Sequence, residues 1–200
     1  GQRVSFSLQT NGYAITEEWA SLFKENDFLI GVSVDGNRNQ HDRYRVDEKG
    51  EGTFLRVIDK LKILEKYKVD YNALCVVTGN TGPVKAYSSL KREGFSFLQF
   101  IPCLDPYEEE RGKREFSLTP EKYSLFLSST FDLWYRDWKN GKYTSVRLFD
   151  DYVHLAMGEA PSSCSVLGRC GGYIVVEADG SIYPCDFYVT DKWRIGIFSD

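Results

Sequence analysis

The 200-residue sequence predicts an α/β fold: a parallel sheet covered by helices, followed by a small cysteine-rich region built around a β-hairpin. Three observations carry that prediction. Strand-length apolar runs alternate with amphipathic stretches of helical period through the first half, and parallel neighbours need crossover connections that are usually helical. From Tyr107 the pattern gives way to a charged loop and one long aromatic-rich helix. Three of the five cysteines then crowd into the last quarter, on either side of an Asp179-Gly180 turn signal.

Element by element, "RVSFSLQTNG" alternates and stops at Asn-Gly, as a strand entering a turn does. "ITEEWASLFKEN" follows as a helix, with Thr16 as N-cap, Glu17 and Glu18 in the first turn, and Trp19, Leu22 and Phe23 at helical spacing. "FLIGVSVDG" is a nearly continuous apolar run, the pattern of a strand buried on both faces. The polar stretch Asn37 to Glu51 reads as a loop. Phe54, Val57, Ile58, Leu61 and Leu64 mark one helix face, "VDYNALCVVT" a strand, "VKAYSSLKREG" a helix closed by Gly94, and "FSFLQFIP" a fourth strand. Functional groups of such a sheet gather where strands run out at their C-terminal ends. Those ends are Gln9 to Gly12, Ser33 to Gly36, Val77 to Asn80 and Ile101 to Pro106. The long helix opens at Thr119-Pro120, a favourable cap and first-turn pair, and Tyr123, Phe126, Leu127, Phe131, Trp134 and Trp138 read as core packing. A short helix is expected near Asp150 to Met157, then the hairpin "YIVVEADGSIYPC".

Composition bounds the function. The chain is 42% hydrophobic and 15% aromatic, as a packed globular chain is, and its formal charge of −4 argues against a general nucleic-acid surface. The longest apolar runs are strand-sized, and no positively charged, apolar leader opens the sequence, so no membrane partner and a cytoplasmic location are expected. Five cysteines are an odd number for a disulfide framework. Cys75 and Cys103 sit in strand patterns and read as core residues. Cys164, Cys170 and Cys185 are three thiols where a cubane iron–sulfur cluster or structural zinc takes four ligands, and their spacing alone separates neither. Asp186, directly beside Cys185, reads on its own as a turn residue.

"CGGYIVVEADGSIYPCDFYV" resembles the opening of the SPASM-type auxiliary-cluster domain of radical SAM enzymes. Together with "SLQTNG", "GVSVDG" followed by "HDRYR", "YNALCVV", "FLQFIPCLDP" and "YPCDFYVTDKWRIG", the sequence is similar, essentially throughout, to anaerobic sulfatase-maturating enzymes. The resemblance implies an internal fragment: residues 1–106 as strands three to six of a partial (β/α)6 barrel, 107–160 as a connecting helical region, and 161–200 as the start of the auxiliary domain. It implies S-adenosyl-L-methionine and [4Fe-4S] clusters as cofactors, a sulfatase polypeptide as substrate, and an electron donor such as ferredoxin or flavodoxin. The family's three-cysteine motif for the catalytic cluster is absent from these residues, so the chain alone is expected to be inactive.

The implied chemistry is oxidation of a Cys or Ser of a sulfatase to formylglycine. By the same resemblance Ser33, Arg45 and Leu104 match positions contacting S-adenosylmethionine, with Arg45 suited to bidentate capture of a carboxylate. Cys164, Cys170 and Cys185 match three ligands of the first auxiliary cluster, and Asp186 matches the proton acceptor for the substrate thiol or hydroxyl. Gln9 and Asn72 are strand polar residues that could face a barrel interior. His41 and His154 match no catalytic role. Two alternatives are a radical SAM maturase of another peptide and a non-catalytic domain with structural zinc.

Overall fold

The computed structural model describes residues 4–198, which divide into two compact units, 1–150 and 151–200. In the first unit five parallel strands lie side by side in chain order: β1 (Ser7–Thr10), β2 (Leu29–Ser33), β3 (Asp70–Val77), β4 (Phe97–Pro102) and β5 (Ser145–Val146). The helices that join them are α1 (Glu17–Glu25), α2 (Arg38–Tyr44), α3 (Phe54–Lys66), α4 (Pro83–Arg92) and α5 (Pro120–Lys139). Right-handed crossovers between strands added in sequence order put the helices on one face, which is how a (β/α) barrel winds. The α/β class and the four long strands are therefore as the sequence predicts.

Strand alternation decides what each face carries. Ile30, Val32 and Val34 of β2 and its extension, with Ala73, Cys75 and Val77 of β3, point into the helix-side core. There they meet Phe23 of α1, Val57, Leu61 and Leu64 of α3, Leu90 of α4, and Phe126 and Trp134 of α5. The intervening residues share the other face. Register pairs Gln9, Gly31 and Asn72 in one row, and Ser33, Leu74 and Gln99 in the next. The helix starts are made as read: Thr16 accepts from the Trp19 N–H at 3.4 Å, and Thr119 from the Lys122 N–H at 3.3 Å.

Four features depart from the sequence reading. The expected loop Asn37–Glu51 contains α2, capped by the Asn37 side chain, which accepts from the Gln40 N–H at 3.1 Å. Its single buried residue is His41, so no apolar periodicity announced it. The fifth strand, β5, is two residues long, and the buried Trp134 holds the segment before it by donating Nε1–H to the Thr144 carbonyl at 2.9 Å. The aromatic stripe of α5 is only partly core: Phe126 and Trp134 are buried, whereas Phe131 is 40% exposed and Trp138 52%. Cys75 is a core residue, but Cys103 lies beyond the end of β4 and is half-buried rather than packed in the core.

Helix α6 (Arg147–Ala156) leads into the second unit. Here β6 (Val175–Val176), β7 (Ser181–Tyr183) and β8 (Gly196–Ile197) form an antiparallel sheet, the expected hairpin plus a third strand. The turn sits at Asp179-Gly180, where Gly180 has φ +83° and the Asp179 carboxylate accepts from the Ser181 N–H at 2.9 Å. Among the described residues of this unit the buried apolar side chains are Pro161 and Tyr183.

Candidate functional site

At the C-terminal edge of the parallel sheet, Asp35 lies two residues past Ser33, on the same face. It is 5% exposed, and its carboxylate has two partners. Oδ1 accepts the Val76 N–H at 2.9 Å, tying the end of β2 to β3. Oδ2 accepts Arg45 Nε–H at 2.6 Å, with Nη2 of the same guanidinium 3.4 Å from Oδ1. Arg45 itself is held where the chain doubles back: its carbonyl accepts from the Thr53 N–H at 3.2 Å and from the Thr53 hydroxyl at 3.0 Å. A guanidinium carries five N–H donors in a rigid fork. Asp35 engages two of them, and three remain to meet an anion in front of Arg45.

Behind this pair lies His41, fully buried. Its Nδ1 accepts the Asp35 N–H at 3.2 Å, so in the neutral ring the proton sits on Nε2, which donates to Thr53 Oγ1 at 3.1 Å. Burial pushes the His41 pKa down to about 4, against the opposing pull of Asp35, so the ring is neutral at pH 7.

A cavity of about 310 Å3 opens here, lined by Asp35, Gln40, Tyr44, Arg45, Val76, Thr78, Cys103 and Phe116. The long loop after β4 closes one side. Gly79 donates its N–H to the Phe116 carbonyl at 2.9 Å, Asn80 Nδ2 donates to the Glu115 carbonyl at 3.2 Å, and Glu115 pairs with Arg43. Gly79 permits this approach, because a Cβ there would lie 2.2 Å from the Ser117 carbonyl oxygen. Burial, then the neighbouring Asp105, raises the Cys103 thiol pKa.

In the second unit Tyr173, Cys185 and Asp186 meet. The Tyr173 hydroxyl donates to Asp186 Oδ1 at 2.5 Å and lies 3.3 Å from Cys185 Sγ, which is 3.2 Å from the same carboxylate oxygen. The Tyr173 hydrogen bond holds the Asp186 carboxyl below the usual range, outweighing the opposing effect of burial. Asp186 is therefore ionised at neutral pH and accepts protons only weakly at rest.

Of the residues singled out in the sequence, the cavity takes in Arg45 but neither Ser33 nor Leu104. Ser33 ends β2 on the face opposite the helices, in a row with Leu74 and Gln99. Leu104 is 63% exposed on the loop beyond β4. Cys164, Cys170 and Cys185 are all free, the first two exposed. Soft thiol donors in a unit with almost no apolar core suit a metal staple by their chemistry. Their convergence is not present: among the described residues no group of three or more Cys, His, Asp or Glu forms a metal-holding set. The structure thus brings Asp186 and Cys185 together, but not the three cysteines. Sequence reading took in Asp35 only as part of the strand end Ser33 to Gly36, missed Thr53 and gave His41 no role. The signal for Asp35 was the two-residue spacing from Ser33, which places both on one face of the strand.

No family model matches the chain. A cysteine-type anaerobic sulfatase-maturating enzyme of Clostridium novyi is 47% identical over 98% of this chain and 53% of its own length. The same kind of enzyme from Clostridium perfringens is 49% identical over 99% of this chain and 54% of its own. A serine-type anaerobic sulfatase-maturating enzyme of Bacteroides thetaiotaomicron is 31% identical over 98% of this chain and 51% of its length. Among solved structures, native anSMEcpe with bound AdoMet and Kp18Cys peptide matches with a TM-score of 0.92 and 48% identity, over 96% of this chain and 54% of that one. Streptococcus suis SuiB bound to S-adenosylmethionine shares the fold, with a TM-score of 0.57 at 12% identity, over 94% of this chain and 44% of that one. The parallel sheet followed by a small antiparallel unit matches the fold of the corresponding half of anSMEcpe. Over nearly its whole length this chain is similar to the anaerobic sulfatase-maturating enzymes, and it spans about half the length of the curated relatives it matches.

Proposed function

We propose that the protein carrying this chain is an anaerobic sulfatase-maturating radical SAM oxidoreductase that converts a Cys of a sulfatase polypeptide to formylglycine. The observation that carries the reading is the match of 96% of this chain to about half (54%) of anSMEcpe with bound AdoMet and Kp18Cys peptide. The choice of Cys over Ser is favoured by 47–49% identity to cysteine-type enzymes against 30–31% to serine-type ones. On this reading residues 1–106 belong to the barrel, 107–160 connect, and 161–200 open an auxiliary domain in which Cys164, Cys170 and Cys185 would supply three thiolates to an iron–sulfur cluster.

When bound, S-adenosylmethionine with its [4Fe-4S] cluster supplies the radical that removes a hydrogen atom from the substrate Cβ. The residues of this chain bind and move protons around that event. Arg45 presents its remaining N–H donors to the carboxylate of S-adenosylmethionine. Ser33 offers a hydroxyl at the strand end, and Leu104 covers the adenosine side. Asp186, ionised, takes the proton of the substrate thiol, and the substrate's second electron would be accepted by a cluster beside it in the auxiliary domain. The thioaldehyde so formed is hydrolysed by water to formylglycine with release of hydrogen sulfide, while a redox partner of ferredoxin or flavodoxin type donates the electron that starts the reaction.

The test incubates the complete, iron–sulfur-loaded protein anaerobically with S-adenosylmethionine, a reductant and a Cys-bearing sulfatase peptide. Formylglycine is read by peptide mass alongside 5′-deoxyadenosine. Asp186→Asn keeps the shape and removes the basic oxygen, so formylglycine falls by about a hundredfold or more while 5′-deoxyadenosine formation survives. An unmodified peptide in the parent despite S-adenosylmethionine cleavage overturns the substrate assignment, and near-normal formylglycine from Asp186→Asn overturns the base.

A further inference from the structure

The contacts around Arg45 close a ring. From the Asp35 N–H the path runs to His41 Nδ1, from His41 Nε2–H to Thr53 Oγ1, and from the Thr53 hydroxyl to the Arg45 carbonyl. It returns through the Arg45 guanidinium to the Asp35 carboxylate. Arg45 is thereby fixed at both ends, its backbone by Thr53 and its fork by Asp35, and the one element joining the two anchors is the imidazole of His41. The donors and acceptors allow a single direction around the ring. The Asp35 N–H can only donate and the Arg45 carbonyl can only accept, so His41 must be the neutral Nε2–H tautomer and Thr53 must spend its hydroxyl hydrogen on Arg45. Thr53 is the N-cap residue of α3 and yet makes no side-chain cap bond. Asp42 meets part of that need instead, its Oδ1 accepting the Phe54 N–H at 2.8 Å. The cap position has thus given up its ordinary role in favour of the ring.

We propose that His41 is a positioning residue for S-adenosylmethionine binding: its buried Nε2–H tautomer sets the Asp35–Arg45 pair through Thr53, so that the free donors of Arg45 face the cavity. The inference rests on the assignment of Arg45 to the S-adenosylmethionine carboxylate. His41 touches no ligand itself. A satisfied core histidine would stabilise the fold without regard to Arg45, and that difference is measurable.

The decisive experiment is a double-mutant cycle in the complete, cluster-loaded protein, reading the dissociation constant for S-adenosylmethionine by anaerobic equilibrium dialysis and the thermal midpoint together. His41→Asn keeps an acceptor for the Asp35 N–H and loses the reach to Thr53. Affinity should fall by about tenfold, the scale of one or two lost hydrogen bonds. In an Arg45→Ala background the same change should leave affinity unaltered, because the route of its action is gone. Thr53→Ser, which keeps the hydroxyl, should retain parental affinity, and Thr53→Val should copy His41→Asn. Equal losses of affinity with and without Arg45 would reduce His41 to a structural residue and overturn the proposal. If Arg45→Ala itself leaves affinity unchanged, the underlying carboxylate assignment falls, and this inference with it. A second measurement needs no variant: ring-nitrogen NMR of the complete protein at pH 7 should show His41 protonated at Nε2 with Nδ1 bare, and the opposite tautomer would break the ring.

Discussion

Thr130 and His41 are both fully buried, and they differ in whether their polar atoms are met. Thr130 Oγ1 on α5 has no hydrogen-bond partner among the described residues. A buried hydroxyl without a partner carries its desolvation cost uncompensated. Thr130→Val, nearly the same shape, should therefore match or exceed the parent in urea midpoint, and a clear loss of stability would show that the hydroxyl is satisfied. His41 predicts a pH dependence. Its folded pKa of about 4 lies below the ordinary value near 6.5, so between these limits the unfolded chain takes up a proton that the native state does not. Its contribution is complete above about pH 6.5 and is lost as pH falls toward 4, on the order of 3 kcal/mol in all. Urea midpoints of the parent should fall over that range more steeply than those of His41→Asn, and parallel curves would refute the assignment. This is also the scale at which the sequence was least legible. Asp186 beside Cys185 could be picked out by resemblance, and Arg45 likewise. The partners that fix Arg45 could not, because an Asp before a Gly reads as a turn and a lone His in a polar stretch reads as nothing in particular.

Among the elements, α5 separates what periodicity predicts from what packing uses. Its stripe spans more of the helix surface than the sheet covers, so Phe126 and Trp134 are enclosed while Phe131 and Trp138 stay partly open. Phe126→Ala should cost about 3–5 kcal/mol, as for other fully buried aromatic truncations. Phe131→Ala should cost distinctly less. Comparable losses in denaturant unfolding would mean that the outer half of the stripe is as buried as the inner. The loop after β4 offers a sharper test, since Gly79→Ala sets a methyl against the Ser117 carbonyl with no flexible side chain to yield. Overpacking of this kind costs roughly 1–3 kcal/mol. Protease cleavage between residues 105 and 118 should accelerate in that variant, and unchanged cleavage would show that the loop does not depend on the close approach. The four long strands and their helices were readable because each carries several periods of pattern. The two-residue β5 and β8 carry none, and α2 hides its single buried side chain among polar neighbours.

For the whole molecule, the contrast between the units sets their relative stability. Residues 1–150 enclose a continuous apolar core, whereas 151–200 bury only Pro161 and Tyr183 among their described apolar side chains. Local stability follows buried apolar contact, so amides of 151–200 should exchange with deuterium much faster than those of β2, β3 and α3 in the metal-free chain. Equal protection across both units would contradict this. The order of the five strands has a consequence for how the chain is made. Each strand pairs with the one that precedes it, and none has to be inserted between two already joined. A ribosome delivers residues in that same order, so every new strand meets a finished edge waiting for it, and the sheet can grow like a row of knitting, one stitch per crossover, without an earlier pairing being undone.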